Sequence, residues 1–164
     1  MRFRITQRFD APLDEVEGAL LDPAFLEVMG ELPKLGRPQL LDIADAGDTV
    51  RRRIRYAFAG QLSSAVTAVV DPAKLTWVED STADRRTHRT TFRILPDHYA
   101  DRLTASGTFT LAPSGTGSTR VAEGDLKVRF PLVGGKVERA IVSGMEEYAA
   151  AEAGAIASWL APRG

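Results

Sequence analysis

One apolar stripe near the end of the chain constrains the fold more than any other feature. After Gly134-Gly135, the residues Val137, Ile141, Met145, Tyr148, Ala151, Ala155 and Trp159 recur every three or four positions. Glu138, Arg139, Glu146, Glu147 and Glu152 lie mostly off that stripe, so the spacing predicts an amphipathic helix. At a rise of 1.5 Å per residue it is about 35–40 Å long. A domain of this size has a radius of gyration of about 15 Å, so the helix crosses nearly all of it. Such a helix needs a wide apolar partner, and the rest of the 164 residues supplies a run of strands.

Residues 2–9 alternate, with Phe3, Ile5, Gln7 and Phe9 on one side and Arg2, Arg4, Thr6 and Arg8 on the other. This period of two predicts a half-buried strand. Pro12 then opens a helix, with Asp14, Glu15 and Glu17 near its positive end and Leu13, Val16 and Leu20 turned inward. Asp22-Pro23 starts a second helix, whose apolar side is Phe25, Val28 and Met29. Between residues 36 and 130 the signals are mostly strands and turns. Strands are predicted over 38–44, 50–58, 75–80, 86–95, 103–111 and 119–130, with turns at 45–48 and 113–118. Leu62, Val66, Val69 and Val70 space a short helix into 61–70. Strands joined by short turns make an antiparallel meander, and the last helix is the available cover for one of its faces. No repeat or linker interrupts the chain, which predicts one domain over residues 1–164.

Composition narrows the chemistry. With no cysteine there is no disulfide framework, Cys-ligated metal site or thiol nucleophile. A formal charge of −1 argues against a dedicated nucleic-acid binder. Met1-Arg2-Phe3-Arg4 lacks the apolar core of a signal peptide, and no apolar run is long enough to span a bilayer. A cytoplasmic chain without stable membrane insertion is expected.

The residues at the two ends carry a resemblance. Phe9-Asp10-Ala11-Pro12-Leu13-Asp14-Glu15-Val16, followed by Leu21-Asp22-Pro23-Ala24-Phe25-Leu26, resembles the strand-to-helix opening of the START-like (SRPBCC) superfamily. Phe130-Pro131-Leu132-Val133-Gly134-Gly135-Lys136-Val137-Glu138 is similar to that superfamily's junction between last strand and long helix. The superfamily includes polyketide cyclases, lipid-transfer domains and the birch-pollen allergen type. This chain is most similar to a bacterial branch without an assigned function. The resemblance implies an α+β helix-grip fold: a curved antiparallel sheet of about seven strands, two short helices after the first strand, and a long C-terminal helix packed across the sheet. It also implies a cavity between sheet and helix for a hydrophobic small molecule.

Candidate site residues follow from strand parity and the helical stripe. From the sheet they are Arg52, Ile54, Tyr56, Trp77, His88, Phe92 and Phe109; from the helix, Ile141, Met145 and Tyr148. His88 shares parity with Phe92 and Ile94, so it is expected to point inward, with Tyr56 and Trp77 as neighbours. There it would be a polar anchor or an acid–base group, although a hydrogen-bonded interior or rim histidine is the commoner use of such a residue. Arg52, also of inward parity, needs a carboxylate such as Glu79 or an anionic ligand. Asp97, His98 and Asp101 share a polar turn, but one imidazole without cysteine is a poor metal set, and no metal or cofactor is expected. The serines lack a nucleophile elbow, and neither Ser114–Ser118 nor Gly134-Gly135-Lys136 has the context of a phosphate loop. Arg51, Arg53, Arg55, Arg89 and Arg93 share the outward parity, and residues 10–31 carry seven acids with no Lys or Arg. A solvated outer face is the plain reading of the arginines; an anionic partner or a self-complementary homodimer is the other.

Three functions follow, in this order. The first is a non-catalytic binder or carrier of a lipid, isoprenoid or polyketide-like molecule. The second is a cyclase- or aromatase-like enzyme using His88 and Tyr56 for proton transfer. The third is a regulatory or interaction module using the arginine face.

Overall fold

The computed structural model describes residues 1–30 and 36–161. Strand β1 (Arg2–Phe9) is followed by helices α1 (Leu13–Leu21) and α2 (Pro23–Met29). Then come β2 (Gln39–Asp45), β3 (Thr49–Ala57), a one-turn helix α3 (Ser64–Thr67) and a 3-10 turn at Pro72–Lys74. Strands β4 (Thr76–Asp84), β5 (Arg89–Pro96), β6 (Leu103–Ser114) and β7 (Gly117–Val128) lead to the long helix α4 (Gly134–Leu160). The seven strands form one antiparallel sheet in the order β1-β7-β6-β5-β4-β3-β2. Each strand from β2 to β7 therefore pairs with its sequence neighbour, and β1 closes the far edge against β7.

Local chemistry explains the element ends. Phe3, Ile5, Gln7 and Phe9 are the buried positions of β1, as the alternation predicts. Asp22 caps α2 by accepting a hydrogen bond from the Ala24 amide, and Pro23 occupies the first turn. Where β6 and β7 pair at Gly107 and Gly124, the strands run so close that a Cβ on either glycine would collide with a carbonyl, that of Glu123 or Ser106. Two facing glycines let the sheet bend there without a steric clash.

The core lies on the inner face in two parts. Phe3, Ile5, Phe92, Leu126 and Val137 pack between the sheet and the first half of α4. Phe9, Val16, Phe25, Met29 and Ile156 join α1 and α2 to its second half, where Phe25 and Trp159 meet edge to face at 5.6 Å. Burying one such large apolar side chain is worth about 1.5–3 kcal/mol.

The structure departs from the sequence reading at several points. Strand β4 runs on to Asp84, and a four-residue turn over 85–88 replaces the predicted start of β5. The β6–β7 turn is only Gly115-Thr116, Gly115 taking a φ of +60°. Helix α3 is so short that the helical spacing ends before Val69, which is 48% exposed. Most telling, Glu138 and Glu152 of α4 are buried. Position 31, one of the seven acids, lies outside the described residues.

Candidate functional site

Between the sheet's inner face and α4 lies a cavity of about 220 Å³. Its walls are set by parity: inward positions of β1, β3, β4, β5, β6 and β7 face one side of α4. Lys74 and His98 are the exposed members of the lining and mark where it meets solvent.

Eight of the ten predicted residues meet at this cavity. Arg52, Tyr56, Trp77, Phe92 and Phe109 line it from the sheet, and Ile141, Met145 and Tyr148 from the helix. Tyr56 and Trp77, opposite each other on β3 and β4, stack at 6.2 Å; Phe92 and Phe109 lie 4.7 Å apart. Ile54 is a correction: it is 1% exposed but lies outside the lining. The end of α1 reaches over this part of β3, since Arg52 Nη1 donates to the Leu20 carbonyl at 3.0 Å.

His88 is the second correction. It ends the β4–β5 turn with a φ of +59°, and this left-handed backbone takes it out of the strand's alternation. Its Nδ1 lies 2.9 Å from Glu17 Oε2 on α1, and it does not line the cavity. Parity counting assumed that β5 begins before His88, and the turn Arg85-Arg86-Thr87-His88 contains no Gly, Pro or Asn to warn otherwise.

Three of the five outward-facing arginines pair within the chain. Arg51 and Arg93 both reach Asp80, at 3.3 and 3.5 Å. Burial pushes the Asp80 carboxyl up, but the hydrogen bond from Arg51 and the charges of Arg51, Arg93 and Arg53 outweigh it and hold it below the usual range. Arg55 grips Asp97 through two bonds at 2.9 and 3.0 Å, and Thr76 adds a third at 2.8 Å. Asp97 is thus committed to the sheet rather than to His98. Among the described residues no three His, Asp or Glu side chains converge as a metal site would require. Three acids of the α1–α2 segment are likewise used locally: Glu17 by His88, Asp22 as a cap, and Glu27 facing Arg37 at 3.7 Å.

Sequence reasoning missed a polar cluster on the cavity wall. Arg120 Nη1 donates to Glu152 Oε1 at 2.9 Å and to Gln7 Oε1 at 3.2 Å. Gln7 Nε2 donates to the same Glu152 oxygen at 2.9 Å and to the Ala149 carbonyl at 2.8 Å. The Arg120 guanidinium stacks 4.0 Å over the Phe109 ring. These groups satisfy one another. Their neighbours in the lining do not: the Tyr148 hydroxyl is buried without a hydrogen-bond partner among the described residues. Burial pushes the Glu79 carboxyl above its ordinary range, against the opposing pull of Arg52 and Arg120. Burial also raises the phenols of Tyr56 and Tyr148, with Glu79 adding to both. The signal available in the sequence was Gln7, the one polar residue on the buried side of β1, which needed a buried partner.

A seven-stranded antiparallel sheet gripping one long helix, with two short helices after the first strand, is a helix-grip fold, shared with solved structures of other proteins. The chain belongs to the family described as protein of unknown function DUF2505, whose profile matches residues 4–160. None of the curated proteins matches this sequence. Among solved structures it is similar to protein TTHA0849 of Thermus thermophilus, with a TM-score of 0.71 and 18% identity, covering 98% of this chain and 100% of that one. It is also similar to the Zhui aromatase/cyclase of Streptomyces sp. R1128, with a TM-score of 0.61 and 14% identity over 97% of this chain and 92% of that one. A third similar structure is norcoclaurine synthase of Thalictrum flavum, with a TM-score of 0.62, 14% identity, and 98% and 86% of the two chains covered.

Proposed function

We propose that the chain binds a small hydrophobic molecule in the cavity between sheet and α4, without transforming it. The observation that carries this is the lining itself: apolar side chains from six strands and α4 enclose a cavity in which a few polar groups converge, the usual composition of a small-molecule site. Two proteins of similar fold support the binding part of this reading, one being an aromatase/cyclase and the other a synthase crystallised with dopamine and hydroxybenzaldehyde. Binding fits better than proton-transfer catalysis on two counts. His88 is held at Glu17, away from the cavity. Tyr56 and Tyr148, raised by burial, keep their protons at neutral pH and serve as hydrogen-bond donors rather than bases.

The test is titration with the apolar fluorophore N-phenyl-1-naphthylamine. Ala105 lines the cavity from β6, between Ile94 and Leu126 on the flanking strands, so Ala105→Phe places a ring inside it. The expected result is saturable one-site binding to the native chain, weakened at least about ten-fold in Ala105→Phe, the loss of about 1.4 kcal/mol. Non-saturable binding, or equal binding by the variant, overturns the proposal.

A further inference from the structure

We infer that Tyr56, Glu79 and Tyr148 form a recognition site for a hydroxyl group, so that the ligand is an uncharged hydrophobic alcohol or phenol. This deepens the proposed binding function and rests on it. The three side chains come from β3, β4 and α4 and line the same cavity. Tyr148 holds a buried hydroxyl with no partner among the described residues, a state that native proteins rarely leave unexplained. Tyr56 pairs with Trp77, two residues from Glu79 on β4, so Tyr56 and Glu79 lie diagonally across neighbouring strands on the face that Tyr148 covers from α4.

The donor and acceptor inventory selects the ligand group. Two phenols offer O–H donors and a carboxylate offers acceptors. A hydroxyl is the small neutral group that both accepts from a phenol and donates to a carboxylate. Charge points to the same class. Arg52 and Arg120 stand beside Glu79 and Glu152 on the cavity wall, and a neutral ligand adds no charge to that buried space. An ammonium would add an uncompensated positive charge in a buried space, and a carboxylate would face Glu79. Arg120 is already committed to Glu152 and Gln7, and Arg52 donates to the Leu20 carbonyl.

Four matched probes test this: naphthalene, 2-naphthol, 2-naphthylmethylamine and 2-naphthoate, each titrated as a competitor of the fluorophore. The native chain is expected to bind 2-naphthol about ten-fold more tightly than naphthalene, the scale of one or two hydrogen bonds to a buried group. Tyr148→Phe should abolish that preference, so that naphthol and naphthalene bind alike. Glu79→Gln, which keeps the side-chain shape, gives a second readout and should reduce the preference on its own. Equal binding of naphthol and naphthalene overturns the hydroxyl site but leaves the binding function standing. Preference for the amine or the acid, or a preference that survives in both variants, overturns it likewise. Failure of all four probes and of the fluorophore overturns both proposals.

Discussion

Glu79 shows how one side chain can set the terms of a cavity. Its carboxyl, raised by burial, holds its proton more tightly folded than unfolded. The folded state therefore binds more protons through the window between the two pKa values, and stability falls as pH rises. The contribution is fully present below the ordinary value of 4.5 and is lost as pH climbs through the folded pKa. Glu79→Gln removes this slope. Urea unfolding of both proteins from pH 4 to 8 should show the native chain losing stability relative to the variant as pH increases; parallel curves would refute the assignment. Strand parity alone made Glu79 visible from sequence as a partner for Arg52. It could not show that Arg52 would turn to the Leu20 carbonyl instead, because that contact depends on where α1 ends in space.

At the scale of elements, α4 is held to the sheet by more than an apolar stripe. Glu138 accepts the Val128 amide at 3.1 Å near the helix start, and Glu152 joins Arg120 of β7 and Gln7 of β1 farther along. Glu138, Ile141, Met145, Ala149, Glu152 and Ile156 step by three or four and share the inner face, two of them acids. Reading the stripe by hydrophobicity therefore drifted toward Ala151 and Ala155 in the second half of the helix. The element existed in the sequence; its rotation about its own axis did not, because charged residues at inward positions look like solvent positions until a partner is known. Removing one partner tests the attachment. Glu152→Ala strands the Arg120 guanidinium in a largely buried setting, and loss of one member of such a pair costs about 3–5 kcal/mol. An unfolding free energy from urea titration lowered by less than about 1 kcal/mol would mean that water readily reaches Arg120.

For the molecule as a whole, the cavity is a cost carried in the core. Apolar walls without packing partners forgo dispersion contacts that a filled core would make. Ala105→Phe should therefore raise the stability of the unliganded chain, by about 0.5–2 kcal/mol, in the same variant that loses fluorophore binding. A calorimetric scan checks the sign; a lowered transition temperature would show that the walls cannot accept a ring. The overall architecture was legible because it rests on periodicity: alternation in β1, the acid–proline start of α2, and the long stripe of α4. The cavity was implied by the family resemblance and not by the pattern, since alternation states which side a residue faces and is silent on whether the facing side is filled.

The pairing of β1 with β7 has a consequence in time. Of the seven strands of this sheet Arg2–Phe9 leaves the ribosome first, while Gly117–Val128, its neighbour in the sheet, follows more than a hundred residues later, and α4 later still. At about 5–20 residues per second, the delay is on the order of ten seconds. Throughout that interval the meander from β2 onward can zip up between sequence neighbours, but β1 has no strand to pair with and Gln7 has no Glu152. Nascent chains cut short of β7 should thus leave this first strand open to proteases.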